Sequence, residues 1–547
     1  MGSTSRRGLR DLFRFSRLEI AFLIVVYAAG VALRLIPKLS VDPHLPAFMA
    51  DVWYRICMAQ HILDHWALPE PDIRYAPYGY VPMWYPPGSP FLLALAARLT
   101  GLDIPTVVTR LVPFVEALSP LSLYVLGREM YDRWVGAAAT LILALTPNFV
   151  YFTGIADPQS LTMFIIPLLL ATWYRHASDP SRGNVLLAGL LMGLNFLFHL
   201  SYFLEALDLI VFSLGLYLQG KAGRWIFRDL LAAIGLSQLI AAPWWLPRNL
   251  YWWWIKALTT SSGLLPPEEQ IALYGPFAAA IGIAGTLLIL ERWRDHLPVL
   301  LWIVPNAIEA ENEVILSALG AIHLSWSTLA KPLEGYRFFP FLAQPLALAA
   351  GAALFWSFSQ ASKRRRLLAL GLILVGAGLD LAFYDLGGKL TNAGMTVDEY
   401  NAAVWFREHA GEWARISADY YRAQMFAGVC GGRALLGGAF PLRNVDYPYI
   451  KAPGRVQDDL YRMYSTCNAA EAWAIARRYN LTHIYYSDMM VWYGNMISSL
   501  NGYKFGVEIC EDKFLKSPYF RVVYERDTPS GRVVIVEVVG ATPSSGP

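Results

Sequence analysis

The sequence predicts a polytopic α-helical membrane protein that ends in an α/β domain. Of its 547 residues, 56% are hydrophobic and only 16% are charged, whereas soluble domains carry about 25% charged residues. Apolar stretches alternate with short basic segments up to about residue 386, and the hydropathy falls beyond that point. We therefore predict about 11 to 13 spans within residues 19–386 and a soluble domain in residues 387–547.

The basic residues predict how these spans are oriented. The tail 1–18 carries five arginines and precedes the first apolar stretch, 20–36, so it is expected on the cytoplasmic side. If the following stretches alternate as spans, the later basic clusters fall on the same side; these are Arg128 and Arg133, Arg175 and Arg182, residues 221–228, Arg292 and Arg294, and residues 363–366. The large loop 37–104 and the C-terminal domain are then extracytoplasmic. The moderately apolar segment 309–335 is assigned to the outside, because counting it as a span breaks the alternation.

The C-terminal region mixes two periodicities. Residues 482–488, 520–526 and 532–539 have the composition of strands, while 396–413 and 469–480 have the pattern of amphipathic helices, which predicts an α/β domain. Three of the four cysteines lie there: Cys430, Cys467 and Cys510. One disulfide among them and unpaired buried thiols are both compatible with the sequence.

Acidic residues at the ends of apolar stretches are the main candidates for chemistry. Asp51, Asp157 and the pair Glu268 and Glu269 lie in three predicted outer loops. Carboxylates near a membrane interior are costly unless they are solvated, paired or bound to metal, and oxygen ligands from separate loops suit Mg²⁺ or Mn²⁺. Solvated loop acids are the alternative.

Three further polar residues stand beside or within apolar stretches. Glu205 and Asp208 lie one helical turn apart, which indicates a polar pocket, mutual hydrogen bonding or a helix boundary about two residues away from the expected one. Arg337 begins an apolar stretch and suits either a phosphate ligand or an interfacial anchor. The net charge of +3 is too small, and its basic residues too clustered, to indicate nucleic-acid binding.

Several short motifs resemble one family along nearly the whole chain. Asp51-Val-Trp-Tyr-Arg55 follows the first span, Gly154-Ile-Ala-Asp157 forms a second acidic motif, and an Arg-Phe motif begins at Arg337. In these motifs the chain resembles the catalytic subunit of oligosaccharyltransferase, most closely the archaeal type, within the GT-C class of membrane glycosyltransferases.

The resemblance implies the GT-C fold and a set of site residues. Asp51 would be a metal ligand and the catalytic residue that activates the acceptor, Asp157 a second metal ligand, and Arg337 a ligand of the donor phosphates. It also implies Mn²⁺ or Mg²⁺ as cofactor, a polyprenyl-phosphate or pyrophosphate-linked saccharide as donor, and inversion at the anomeric carbon. An archaeal-type protein would lie in the plasma membrane.

The chain departs from the family pattern at three places. Gln159 stands where the family has Asp, His or Glu, and it is kept among the metal-site candidates. Gly263 stands where a Glu is expected, so Glu268 or Glu269 would substitute for it. The family's acceptor motif is replaced by Ser417-Ala-Asp-Tyr-Tyr421, which leaves Asp419 and Tyr420 as acceptor-binding candidates.

The sequence therefore predicts a glycosyltransferase that acts at the outer membrane face. The acceptor would be a protein asparagine, another side chain or a glycan. Two alternatives remain open: a non-catalytic relative that binds polyprenyl lipids or assists a transferase, and a transporter.

Overall fold

A computed structural model describes most of the chain. The described residues are 14–47, 49–70, 83, 85–252, 267–312, 335–357, 362–411, 414–430, 434–437, 453–501 and 508–540. The ambiguous segment 309–335 lies largely outside this part of the chain.

The N-terminal two thirds of the described chain are helical. The helices are α1 (Arg17–Lys38), α2 (Met49–His65), α3 (Gly88–Thr100), α4 (Ile104–Thr106), α5 (Val112–Glu116), α6 (Leu121–Met130), α7 (Arg133–Leu145), α8 (Pro147–Phe152), α9 (Gln159–Ser178), α10 (Arg182–Phe198), α11 (Tyr202–Leu218), α12 (Trp225–Trp252), α13 (Pro267–Tyr274), α14 (Pro276–Leu290), α15 (Trp293–Ala310), α16 (Phe339–Ser357), α17 (Lys363–Phe383) and α18 (Leu386–Thr391).

Four of the described helical segments are long and apolar enough to cross a membrane. They are Arg17–Lys38, Ile104–Met130, Trp225–Pro247 and Arg364–Phe383. Shorter apolar helices cover Arg133–Leu145, Arg182–Phe198, Pro276–Leu290 and Phe339–Leu354. These helices and the composition are those of an integral membrane protein, while the count of 11 to 13 spans stays a prediction.

The first helix begins with strong local signals. The Ser16 side chain and the Glu19 side chain each accept from the other's backbone N–H, which forms a capping box and satisfies two otherwise unpaired donors. Glu19 also accepts a hydrogen bond from the Tyr124 hydroxyl at 2.8 Å. The start of α1 is thereby tied to α6.

Several helices are interrupted by irregular turns. A π-helical turn at Val107–Leu111 separates α4 from α5, and Thr146 is extended before Pro147 begins α8. A residue before proline is disfavoured in the helical region, so the apolar stretch 135–150 is split between α7 and α8. These breaks give irregular backbone near Asp157.

The C-terminal region forms a mixed five-stranded sheet with helices around it. The strands are β1 (Ile416–Asp419), β2 (Ala434–Gly437), β3 (His483–Ser487), β4 (Phe520–Thr528) and β5 (Gly531–Val538), in the order β2-β1-β3-β5-β4. The first three are parallel, and β3-β5 and β5-β4 are antiparallel. The helices are α19 (Val397–His409), α20 (Tyr420–Cys430), α21 (Pro453–Ser465), α22 (Ala469–Arg478), α23 (Asp488–Asn501) and α24 (Asp512–Lys516).

This arrangement confirms the predicted α/β character and resolves the cysteines. Cys467 and Cys510 form a disulfide, whereas Cys57 and Cys430 are free and buried.

The α/β domain packs against the segment 37–104. The Tyr400 ring stacks on Trp53 of α2 with centroids 6.2 Å apart and on His44 at 5.0 Å. A Cβ at Gly428 would lie 3.1 Å from the Trp53 ring, so α20 approaches α2 closely. Residues of α2, α3 and the sheet share one hydrophobic core, which places the domain and loop 37–104 on one face of the molecule.

Candidate functional site

The site is built around Asp157, which precedes the first turn of α9. Its side chain is 3% exposed. The Oδ1 atom accepts a hydrogen bond from the Gln159 backbone N–H at 3.1 Å, and its carbonyl accepts from the Ser160 N–H at 2.9 Å. Pro158 continues the turn, so the carboxylate is held beside the N-terminus of α9, where the helix dipole favours negative charge.

Arg55 of α2 holds the backbone and the carboxylate of this turn. It donates to the Ala156 carbonyl at 3.0 Å, and it lies 3.5 Å from Asp157 Oδ1. Ala156 has φ +58°, a left-handed conformation that costs a non-glycine residue about 1–2 kcal/mol. The buried guanidinium therefore stabilises a strained turn, and strain of this kind is common at functional sites.

Arg34 holds the same segment from the opposite side. Its Nε donates to the Thr153 carbonyl at 2.8 Å and its Nη1 to the Gly30 carbonyl at 2.9 Å; Nη2 donates to the Thr153 hydroxyl. The side chain is fully buried. An arginine at the end of a span commonly reaches the lipid headgroups, but Arg34 points into the protein because the Thr153 oxygens accept its hydrogen bonds.

A second buried carboxylate, Glu116, lies close to Asp157. Both residues line a cavity of about 100 Å³ between α3, α5 and the start of α9. Glu116 is 2% exposed; Arg34, Lys38 and Asp157 act on it through their charges, and the Ser160 hydroxyl lies close to it. Neither of its carboxylate oxygens has a partner with the geometry of a hydrogen bond within the described ranges.

An aromatic layer separates Arg55 from the hinge between α10 and α11. The Arg55 guanidinium lies 5.9 Å from the Tyr85 ring centroid, and Tyr85 packs edge-on against His199 at 6.3 Å. A Cβ at Gly88 would lie 2.7 Å from the Leu197 carbonyl oxygen, so only glycine fits this approach without a shift. The outer loop and the α10–α11 hinge therefore meet beside the site.

The other predicted site residues are placed as follows. Asp51 lies in α2, one helical turn before Arg55, and Glu268 and Glu269 lie in the first turn of α13; the side chains of all three lie outside the described part of the structure. Gln159 is 6% exposed. Arg337 lies in the 3₁₀ turn Gly335–Phe338 that leads into α16, and it is half-buried.

The residues described around Asp157 supply part of the ligand set that a hard divalent cation needs. The buried Gln159 Oε1 has no hydrogen-bond partner in the described chain, and it lies two residues from the Asp157 carboxylate. Oxygen atoms are the ligands that Mg²⁺ and Mn²⁺ prefer. Groups of three or more His, Cys, Asp or Glu side chains in metal-binding geometry are absent from the described residues, so the ligand set rests on the predicted role of Asp51.

Asp419 takes part in a buried ion network beneath the sheet. It accepts from the Arg422 N–H at 2.8 Å and from Arg422 Nη1 at 3.2 Å, while Arg422 Nε donates to Glu399 at 2.9 Å. The Tyr485 and Ser487 hydroxyls also donate to Glu399. Burial raises the pKa of Asp419, and the Arg422 charge opposes that rise. These contacts give Asp419 a structural role. The Tyr420 side chain lies outside the described part of the structure. Acceptor binding by the two residues therefore stays a prediction.

Glu205 and Asp208 have separate partners rather than each other. Asn195 Nδ2 donates to Glu205 Oε2 at 2.8 Å, and Asn306 Nδ2 donates to Asp208 Oδ1 at 2.8 Å. Both carboxyl groups are fully buried in the helix bundle. The alternative of mutual hydrogen bonding is therefore wrong, because two asparagines on neighbouring helices take that role.

Sequence reasoning assigned no role at the site to Arg55, Arg34 or Glu116. Arg55 could have been found because it lies one helical turn after Asp51. Glu116 is a carboxylate inside the apolar stretch 107–126, and such residues are functional candidates by default. Arg34 gave no comparable signal, since an arginine near the end of a span is usually an interfacial anchor.

Comparison with known proteins agrees with this architecture. The family model of dolichyl-phosphate-mannose-protein mannosyltransferases matches residues 85–246. No curated protein sequence matches the chain.

Three solved structures are similar over almost the whole chain. The archaeal oligosaccharyltransferase AglB from Archaeoglobus fulgidus, in complex with an inhibitory peptide and a dolichol-phosphate, has a TM-score of 0.63 at 14% identity and covers 97% of this chain and 75% of its own. ArnT from Cupriavidus metallidurans, bound to undecaprenyl phosphate, has a TM-score of 0.54 at 14% identity; the match covers 97% of this chain and 98% of the ArnT chain. The arabinofuranosyltransferase AftD from Mycobacteria has a TM-score of 0.60 at 15% identity; the match covers 98% of this chain and 41% of the AftD chain.

These relatives share the GT-C fold. The chain therefore has the fold of GT-C glycosyltransferases and resembles archaeal oligosaccharyltransferase.

Proposed function

We propose that this chain, which has the GT-C fold, transfers a sugar or oligosaccharide from a polyprenyl-phosphate-linked donor to an acceptor at the outer face of the membrane. The observation that carries the proposal is the buried Asp157 carboxylate, held beside the α9 N-terminus and fixed by Arg55. AglB and ArnT, which share the fold, are bound to dolichol-phosphate and undecaprenyl phosphate. A lipid-linked donor is the substrate class common to both.

In this proposal the chain's own residues bind and orient the two substrates. Arg337 holds the donor phosphates through its guanidinium, and Asp51 orients and activates the acceptor. Asp51, Asp157 and Gln159 hold the divalent cation, with Glu268 or Glu269 as a further ligand. Mn²⁺ or Mg²⁺ bound there would neutralise the phosphate group that leaves with the carrier lipid.

Arg55 and Arg34 keep Asp157 in place while substrates exchange. Both guanidiniums donate to backbone carbonyls of the segment 153–157. A carboxylate fixed in advance costs less reorganisation during reaction. In the proposed orientation the protein lies in the plasma membrane, with its N-terminus in the cytoplasm and its C-terminal domain outside the cell.

The test is donor consumption and glycan transfer in membranes. The assay uses a labelled lipid-linked glycan with Mn²⁺, an Asn-x-Thr peptide as acceptor, and the variants Asp51→Ala and Asp157→Asn. We expect each variant to lower donor consumption by about 100-fold, as expected when electrostatic stabilisation of the transition state is lost. Removal of the cation by EDTA should have the same effect.

The matched control is Asp64→Asn, an exposed carboxylate on the same helix as Asp51. It should retain wild-type turnover. Consumption of the donor without labelling of the peptide would mean that another acceptor is used. Absence of Asp157-dependent turnover with every donor would favour the non-catalytic alternative.

A further inference from the structure

The cavity between α3, α5 and α9 has an apolar entrance and a polar inner end. The polar lining residues are Ser89, Glu116, Asp157 and Ser160; most of the others are aliphatic. Leu92 and Val115 line the cavity and are 40% and 46% exposed. Exposed aliphatic side chains next to a predicted first span indicate that this entrance faces lipid.

The charges around the polar end favour a lipid headgroup without a net charge. An anionic headgroup would meet two carboxylates, Glu116 and Asp157. A cationic headgroup would meet Arg34 and Lys38 near Glu116, Arg55 beside Asp157, and the divalent cation proposed at Asp157. A neutral headgroup that donates hydrogen bonds avoids both repulsions.

Glu116 requires such a donor. Both of its oxygens are buried and lack a hydrogen-bond partner in the described part of the chain, and a buried polar group without a partner costs about 1–3 kcal/mol. Hydroxyl groups of a ligand can donate to these oxygens, and the Ser89 and Ser160 hydroxyls can accept or donate in turn. The volume of about 100 Å³ is somewhat below the ~150 Å³ of a cavity known to hold benzene, so a glycerol-sized group or part of a sugar ring fits.

We propose that this cavity binds the neutral, hydroxylated headgroup of a membrane lipid, with the headgroup hydroxyls donating to Glu116 and the chains leaving past Leu92 and Val115. Because Asp157 lines the same cavity, a bound hydroxyl lies beside the proposed transfer site. On the proposed function above, this headgroup is the glycosyl acceptor, and the acceptor class is a glycolipid rather than a soluble peptide.

The position of the acceptor-motif residues agrees with this inference. The Ser417 carbonyl oxygen and hydroxyl lie within hydrogen-bond distance of the Tyr464 hydroxyl, at 3.0 and 3.3 Å. Asp419 is held by Arg422. Both side chains are thus occupied by contacts within the domain, whereas Glu116 has oxygens to spare.

The test measures lipid binding without donor, so its result does not depend on transfer activity. Full-length protein in phosphatidylcholine nanodiscs is irradiated with a photoreactive monoglucosyl diacylglycerol, and crosslinking to α3 and α5 is measured by mass spectrometry. We expect competition by unlabelled glucosyl diacylglycerol. Free glucose and a phosphatidylglycerol of the same acyl chains should compete at least 10-fold less well.

Two variants locate the site. Leu92→Trp should fill the entrance and lower crosslinking at least 10-fold, whereas Leu99→Trp, on the same helix and 77% exposed but outside the cavity, should not. Glu116→Gln retains the shape, removes one strong acceptor and should lower crosslinking several-fold. Folding of each variant is checked by its thermal unfolding temperature.

Three results would overturn the proposal. Equal competition by phosphatidylglycerol would show that the site binds any lipid. Equal competition by glucose would show that it binds soluble sugar. Unchanged crosslinking in a folded Leu92→Trp variant would show that the lipid binds elsewhere. If crosslinking behaves as expected but no transfer occurs with any donor, the binding site stands and the proposed function fails.

Discussion

At the scale of single residues, Arg55 has the most direct effect on the candidate site. Arg55→Met removes the donor to the Ala156 carbonyl and the cation beside Asp157. Hydrogen bonds to charged groups contribute about 1.5–3 kcal/mol, which corresponds to roughly 10- to 100-fold in rate. We expect donor consumption in the membrane assay to fall by that factor in Arg55→Met. In Arg55→Lys, donor consumption should fall by a smaller factor.

Arg98→Met is the control for this prediction. Arg98 is exposed near the end of α3, and its loss should leave turnover unchanged. Wild-type turnover in Arg55→Met would show that Asp157 is held without the guanidinium, or that it has no part in the reaction.

A second residue prediction concerns Lys513 in the α/β domain. Lys513 is 3% exposed and donates to the Tyr464 carbonyl; burial lowers its pKa from 10.5 to about 8. Below pH 8 both the folded and the unfolded chain bind this proton, and folding carries the full cost of the buried charge. Between pH 8 and 10.5 the unfolded chain binds more protons, so stability rises with pH.

Replacement of this charge should therefore stabilise the protein at neutral pH. We expect Lys513→Met to raise the thermal unfolding temperature of the full-length protein in detergent at pH 7, and the gain to shrink toward pH 10.5. Lys516→Met removes a lysine that is 71% exposed and should show no such pH dependence. A gain for Lys513→Met that is constant with pH would contradict the shifted pKa.

At the scale of elements, helix pairs meet through small residues. A Cβ at Gly285 of α14 would lie 2.5 Å from the Ala350 Cα of α16, which real structures do not tolerate without a shift. Close backbone approach at small residues is a main way in which membrane helices pack. We expect Gly285→Ala to cost about 1–3 kcal/mol of stability, the usual range for overpacking.

Gly371→Ala is the matched control within α17. A Cβ there meets nothing within 4 Å, so the change should be neutral or slightly stabilising, since alanine favours helices by up to about 1 kcal/mol over glycine. Both variants are compared by thermal unfolding in one detergent. Equal unfolding temperatures would show that α14 and α16 can separate without cost.

The elements also show how far the sequence reached. Alternation and strand-forming residues predicted β3, β4 and β5 to within about two residues, because their pattern is local. β1 and β2 have four residues each, too few for a period to show. The apolar stretch 135–150 is divided between two helices because Thr146 is extended before Pro147, a break that the hydropathy of the stretch alone does not indicate.

The site was less predictable than the elements for a related reason. Asp157 and its motif could be recognised locally, but Arg34, Arg55 and Glu116 lie 41 to 123 residues away along the chain and meet it only through tertiary packing. Each also has an ordinary explanation in its own stretch, as an interfacial anchor, a loop charge or a helix-end acid. Only the fold shows that they face one turn.

At the scale of the whole molecule, the shared core fixes the relation between the domain and the membrane helices. Trp53, Tyr400 and Gly428 join loop 37–104 to the α/β domain, so the two must lie on one side of the membrane. The five arginines of the tail 1–18 predict that this side is extracytoplasmic. The disulfide Cys467–Cys510 agrees, because disulfides persist in oxidising compartments.

The prediction is tested with single added cysteines and a membrane-impermeant maleimide on intact cells. Ser530→Cys, on an exposed turn of the domain, and Leu102→Cys, on the outer loop, should both be labelled before lysis. Arg224→Cys, between α11 and α12, should be labelled only after lysis. The native free thiols Cys57 and Cys430 are buried and add little background. The contradicting result would be that Ser530→Cys is labelled under the same conditions as Arg224→Cys, and Leu102→Cys under the opposite conditions. The domain and the outer loop would then lie on opposite sides of the membrane, which the shared core does not allow.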